Sequence, residues 1–93
     1  MTISIIKQND DVFIVKVTND LSTSHTVTIT DQSLAELTNN NVTKTQLLQF
    51  SFDFLLQREP NTSILTSFDI NIISKYFSDY KDQVRRWCDE SQN

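Results

Sequence analysis

From residue 2 to about residue 30 the apolar positions of this chain alternate with polar ones, and beyond it they recur every three to four residues. Alternation sends successive side chains to opposite faces of a strand, whereas recurrence at i, i+3 and i+4 marks one face of a helix. The pattern therefore predicts strands over residues 2–7, 12–18 and 24–30, joined as a three-stranded antiparallel meander. Turns fall at Gln8-Asn-Asp-Asp, at residues 18–24, at Thr38-Asn-Asn-Asn and at Glu59-Pro-Asn. The chain has no glycine and one proline, so Asn, Asp and Ser, which tolerate left-handed or side-chain-bonded geometry, must make these turns.

In the middle strand Phe13, Val15 and Val17 share one face, and Val12, Ile14 and Lys16 the other. His25, Val27 and Ile29 take one face of the third strand, and in the first Ile3 and Ile5 oppose Ser4 and Ile6. One face is core. The second, with Ile6, Val12 and Ile14, is more apolar than a solvated face needs.

After Thr30, Asp31-Gln-Ser-Leu-Ala-Glu-Leu-Thr reads as a short helix with a possible Ser33/Glu36 capping box, burying Leu34 and Leu37. Thr43 and Gln46 form a second capping box that opens the main helix, residues 44–58. Ile64, Leu65 and Phe68 are expected to pack in a turn or short helix. Asp69 or Ser67 then caps a helix bearing Ile70, Ile73 and Phe77, and Ser78 caps a last one whose Tyr80, Val84, Trp87 and Cys88 share a face.

The main helix carries Phe50-Ser-Phe-Asp-Phe-Leu-Leu-Gln-Arg-Glu-Pro. At ~100° per residue its apolar side chains fill a wide arc, so it is central and largely buried. Ser51 and Arg58 fall inside that arc. The serine is a packing notch that lets another backbone approach; the arginine, at the helix end, clamps the last carbonyls to an acid, with Glu59 and Asp69 as candidates. Pro60 stops the helix, since it lacks an amide hydrogen and pushes Glu59 out of helical geometry.

Ser51-Phe-Asp-Phe-Leu-Leu-Gln-Arg-Glu-Pro, then Ser63-Ile-Leu, Phe68-Asp and Ile73-Ser-Lys-Tyr-Phe, resembles the shared core of a group of small uncharacterised bacterial proteins. The resemblance covers residues 51–77 and extends to His25-Thr-Val. It implies a common bacterial fold and brings no catalytic residue, cofactor or substrate. The chain departs from that pattern near Asn39 to Asn41, where glycine is expected, and at Ser78, where proline is expected.

Length and charge narrow the function. Ninety-three residues make one domain, its meander over 1–30 and its helical part over 31–90, with a modest core. A net charge of -4 sets the field of the molecule against a phosphate backbone and disfavours nucleic acid as a partner. The start Met1-Thr-Ile-Ser-Ile-Ile-Lys lacks a basic leader, and no stretch reaches the ~20 apolar residues of a membrane span. The expectation is a cytoplasmic protein with no membrane contact, in which Asn41-Val-Thr and Asn61-Thr-Ser are polar loops, not glycosylation sites.

Candidate chemistry is thin. One His25 and one Cys88 fall short of the usual zinc ligand set, no twelve-residue oxygen-ligand loop appears, and nucleotide loops usually require glycine. No metal or cofactor is expected. Cys88 completes an apolar stripe, His25 reads as a sheet histidine bonded to a backbone group, and the carboxylate pairs Asp10-Asp11 and Asp89-Glu90 are solvated.

The expected fold is α+β: a three-stranded antiparallel sheet followed by three to four helices packed on one face. The expected function is that of a non-catalytic protein-interaction or self-association module, with Ile6, Val12 and Ile14 and an exposed strand edge as its surface, unless a helix or terminus of the same chain covers that face. Two alternatives come from other classes. One is a nucleic-acid-binding or regulatory protein using the basic helix from Lys81 to Trp87, with Arg85 and Arg86. The other is a small enzyme around His25, which requires a cleft joining His25 to Arg58.

Overall fold

A computed structural model describes residues 2–91. Strands β1 (Thr2–Lys7), β2 (Val12–Thr18) and β3 (Ser22–Thr28) precede helices α1 (Asp31–Thr38) and α2 (Lys44–Leu56). A 3-10 turn (Asn61–Ser63), a short strand β4 (Ser67–Asp69), a second 3-10 turn (Ile70–Ile72), α3 (Ile73–Tyr76) and α4 (Tyr80–Ser91) follow. The class is α+β. The sheet has four strands in the order β1-β2-β3-β4, the first three antiparallel and β4 parallel to β3.

The fourth strand corrects the expected three. Residues 67–69 do not form a turn or helix, because Phe68 pairs with Val27 and the Thr26 amide bonds to the Thr66 carbonyl at 2.8 Å. Leu65, expected to pack, is left 46% exposed. The third strand begins and ends two residues earlier than its pattern predicts, although Ile29, just past its end, is still buried.

One face of the sheet is the core. Phe13, Val15, Val17 and Val27 are buried in a single cluster with Leu47, Leu48, Phe52 and Leu55 of α2, Ile73 of α3, and Tyr80 and Val84 of α4. Helix α2 is apolar on most sides because the sheet and α4 both pack on it. It starts where its sequence says: the Thr43 hydroxyl accepts from the Gln46 amide at 3.1 Å, and the Gln46 side chain accepts from the Thr43 amide at 2.9 Å. It ends at Leu56 and not at Arg58.

Helix α1 is capped three residues earlier than expected. Thr30, not Ser33, accepts from the amide of Ser33 at 3.1 Å, and Ser33 itself is buried inside the helix. Asp69 caps the turn that leads into α3, accepting from the Asn71 amide at 2.9 Å. The last helix starts at Tyr80, so the residue before it is Asp79 and not Ser78.

Asn39 and Asn40 have φ of 54° and 61°. Asparagine reaches this left-handed region more readily than other residues with a Cβ, and the Asn39 amide closes α1 on the Ala35 carbonyl at 2.9 Å. The turn is made without glycine.

Candidate functional site

The second sheet face is where the sequence places its interaction surface, and the helices pack on the opposite one. Register sets Ile6 beside Ile14, Ile14 beside Thr26, and Val12 beside Thr28. Ile6 is 48% exposed, Val12 and Ile14 are half-buried, and Ser4, Lys16, Ser24, Ser67 and Asp69 on the same face are exposed. The three apolar side chains form one short strip, flanked by hydroxyls and charges.

Beside this strip lies the edge of β1. In an antiparallel ladder alternate residue pairs exchange hydrogen bonds, and the residues between turn their amides and carbonyls the other way. The Gln8 amide bonds to the Val12 carbonyl at 2.9 Å, so the pairs Ile6–Ile14 and Ser4–Lys16, in step with it, are the bonded ones. The next ladder agrees: the Ile29 amide bonds to the Asp11 carbonyl at 2.7 Å, which gives β3 the odd residues of β2 and leaves the even ones for β1. The N–H and C=O groups of Ile3, Ile5 and Lys7 therefore face away from β2, along the outer edge of the sheet. Thr2–Lys7 has no proline to blunt that edge, and its one charge is Lys7, at the end of the strand.

A second concave feature is a groove of about 330 Å³ between the end of α2 and α3. Ile64, Leu65, Phe68, Ile72 and Tyr76 line it, with Glu59 at its margin. Tyr76 is 67% exposed. Sequence reasoning missed this site, because it depends on β4 holding Phe68 beside α3.

His25 is fully buried, in a closed hydrogen-bond chain. Its Nδ1 lies 2.7 Å from the Leu65 carbonyl, which can only accept, so Nδ1 carries the proton. Nε2 then accepts from the Thr23 hydroxyl at 2.8 Å, and Thr23 in turn accepts from Asn61 Nδ2 at 3.0 Å. Asn61 also donates to the Leu21 carbonyl at 2.9 Å. Every member is satisfied, and the chain fastens β3 to the segment before β4. His25 and Arg58 share none of the described cavities.

Arg58 meets a partner other than the two acids expected from the sequence. Its guanidinium donates to the Phe54 carbonyl at 3.0 Å and to Asp79 Oδ2 at 3.0 Å, and lies 3.6 Å from the centre of the Phe54 ring. The carbonyl contact follows from its place at the helix end. The acid is Asp79 because α3 and α4 turn back along α2, while Glu59 borders the groove and Asp69 is engaged with Asn71.

Ser51 is more than a notch. Its hydroxyl donates to the Leu47 carbonyl at 2.6 Å and accepts from the Tyr80 hydroxyl at 2.6 Å. Burial pushes the Tyr80 hydroxyl well above its ordinary value, against the pull of Ser51, so it stays protonated. Burial likewise raises the Cys88 thiol, with Asp89 adding to it, which is the reverse of what a thiolate nucleophile needs.

On α4, Lys81, Arg85 and Arg86 are exposed together with Asp82, Asp89 and Glu90. That surface thus carries as many acids as bases. Trp87, which would have to stack on bases, instead stacks on Phe50 at 4.6 Å. Among the described residues no group of three or more His, Cys, Asp or Glu side chains could hold a metal, and no helix is long and apolar enough to cross a membrane. No family model, curated protein or solved structure matches this chain.

Proposed function

We propose that this chain is a non-catalytic protein-interaction module, which works by accepting an added strand along β1 with Ile6, Val12 and Ile14 as the apolar contact face. The observation that carries this reading is the run of backbone groups at Ile3, Ile5 and Lys7 that face outward from the sheet, with no partner among the described residues, beside the exposed Ile6. Main-chain bonds to an edge strand give affinity, and alternate side chains give selectivity. The bonding of His25, the raised Cys88 thiol and the equal numbers of exposed acids and bases on α4 leave the enzyme and nucleic-acid readings with less support.

The test is Ile14→Lys. A lysine at a contact face leaves the fold in place, with a stability change of about 0.5 to 1 kcal/mol, and abolishes concentration-dependent assembly measured by light scattering. Loss of the fold in this variant would make Ile14 core and overturn the reading.

The groove beside α3 favours a second reading, a small apolar ligand. Its volume is at the lower end of the ~300–1,000 Å³ of ligand pockets. Leu65→Asp would then abolish the thermal shift given by a hydrophobic dye while Ile14→Lys retained it.

A further inference from the structure

We infer that the strand which adds to β1 is β1 of a second copy of this chain, antiparallel about a two-fold axis at Ile5; this rests on the interaction reading above. Only residues whose backbone groups face the edge can pair across it, so Ile3, Ile5 and Lys7 must meet one another. Placing Ile5 opposite Ile5 of the second copy sets Ile3 opposite its Lys7. Each free amide and carbonyl of Ile3, Ile5 and Lys7 then has a partner within Thr2–Lys7.

The side chains fit the same register. On the outer face Ser4 stands opposite Ile6 of the second copy, and the two Ile6 side chains lie diagonally across the axis, at the ~7–8 Å of such neighbours. Each Ile6 already pairs with its own Ile14, so the apolar strips of both copies become continuous. No like charges oppose. Lys7, 3.3 Å from Asp10 of its own chain, faces Ile3 of the other.

Pairing of this kind is limited to two copies. A two-fold edge contact uses the same patch twice and closes on itself. The opposite edge is β4, only three residues long, too short to continue a ribbon of sheets.

The experiment mixes two single variants, Ser4→Cys and Ile6→Cys, under mild oxidation, with cross-linked species separated by mass and the native chain followed by light scattering. Cys88 is buried and does not compete. Directly opposed residues in a non-hydrogen-bonded pair lie ~4.5 Å apart at Cα, within disulfide reach. The expected result is a disulfide between one variant and the other, formed roughly tenfold faster than either homodisulfide, and a dimer of the native chain. Faster cross-linking of Ser4→Cys with itself would overturn this register. A dimer without the mixed disulfide would overturn pairing through β1. A monomer at all concentrations would overturn self-pairing altogether, and Ile14→Lys then separates the two ideas: a folded variant leaves the interaction reading standing with an outside strand, and an unfolded one removes both.

Discussion

Ser51 and Tyr80 show how a polar pair in a core works against single substitution. Ser51→Ala leaves the Tyr80 hydroxyl buried without an acceptor and should cost about 1–3 kcal/mol. Tyr80→Phe should cost less, since Ser51 keeps its bond to Leu47. The double variant should be more stable than the sum of the two predicts, because it leaves no orphan; denaturant titration of all four proteins measures the coupling. Lys44 is a second residue whose role is testable. Burial pulls its ammonium down, but bonds to Asp31 at 2.8 Å and Asp11 at 3.1 Å outweigh burial and raise it overall, while Lys44 holds Asp31 below the usual carboxylate range. A raised lysine stabilises below its ordinary value near 10.5 and loses that contribution as pH rises through the folded value. A lowered carboxylate stabilises above its ordinary value near 3.8 and loses its contribution as pH falls through the folded value. The stability difference between the native chain and Lys44→Met should therefore shrink at both ends, below 3.8 and above 10.5. Asp31 is fully exposed, so its share of the difference is small.

At the scale of elements, what was legible in the sequence was local. The Thr43 capping box, the first meander turn and the arc of α2 each depend on residues within a few positions of one another, and they stand where their patterns put them, while the second turn is tighter than its pattern because β3 starts at Ser22. Features that depend on distant partners were not legible. Strand β4 has too few residues to show a period, and becomes a strand only because β3 offers the even-numbered groups of Thr26 and its neighbours. Arg58 was read correctly as a residue that bonds a helix-end carbonyl, but its acid lies 21 positions away. The free edge of β1 and the strip of Ile6, Val12 and Ile14 follow from alternation, whereas the groove beside α3 does not. His25→Ala tests how firmly β4 is held. It removes the bonds to Leu65 and Thr23, and amide exchange at Thr26 should accelerate by roughly ten- to a hundredfold, the equivalent of about 1–3 kcal/mol, with the β1–β2 ladder less affected.

For the whole molecule, charge and assembly are linked. Each copy carries a net charge of -4, so two copies repel at long range while the paired edge itself brings no like charges together. Raising ionic strength shortens the Debye length from ~30 Å at 0.01 M to ~10 Å at 0.1 M, and the dimer should tighten over that range, as followed by sedimentation. Assembly through opposed surface charges would weaken instead. The parallel pairing of β4 with β3 has a different consequence, for the order in which the chain is made. Strands β1 to β3 leave the ribosome first, and until Ser67–Asp69 emerges, β3 is itself an open margin, separated from β4 along the chain by helices α1 and α2. The nascent chain thus has two long margins, β1 and β3, where the finished protein has one long margin and the three-residue β4. Thr26 and Thr28, the residues whose outward groups wait for β4, bear hydroxyls and no large apolar side chain, which makes the waiting margin a poor template for misassembly during synthesis.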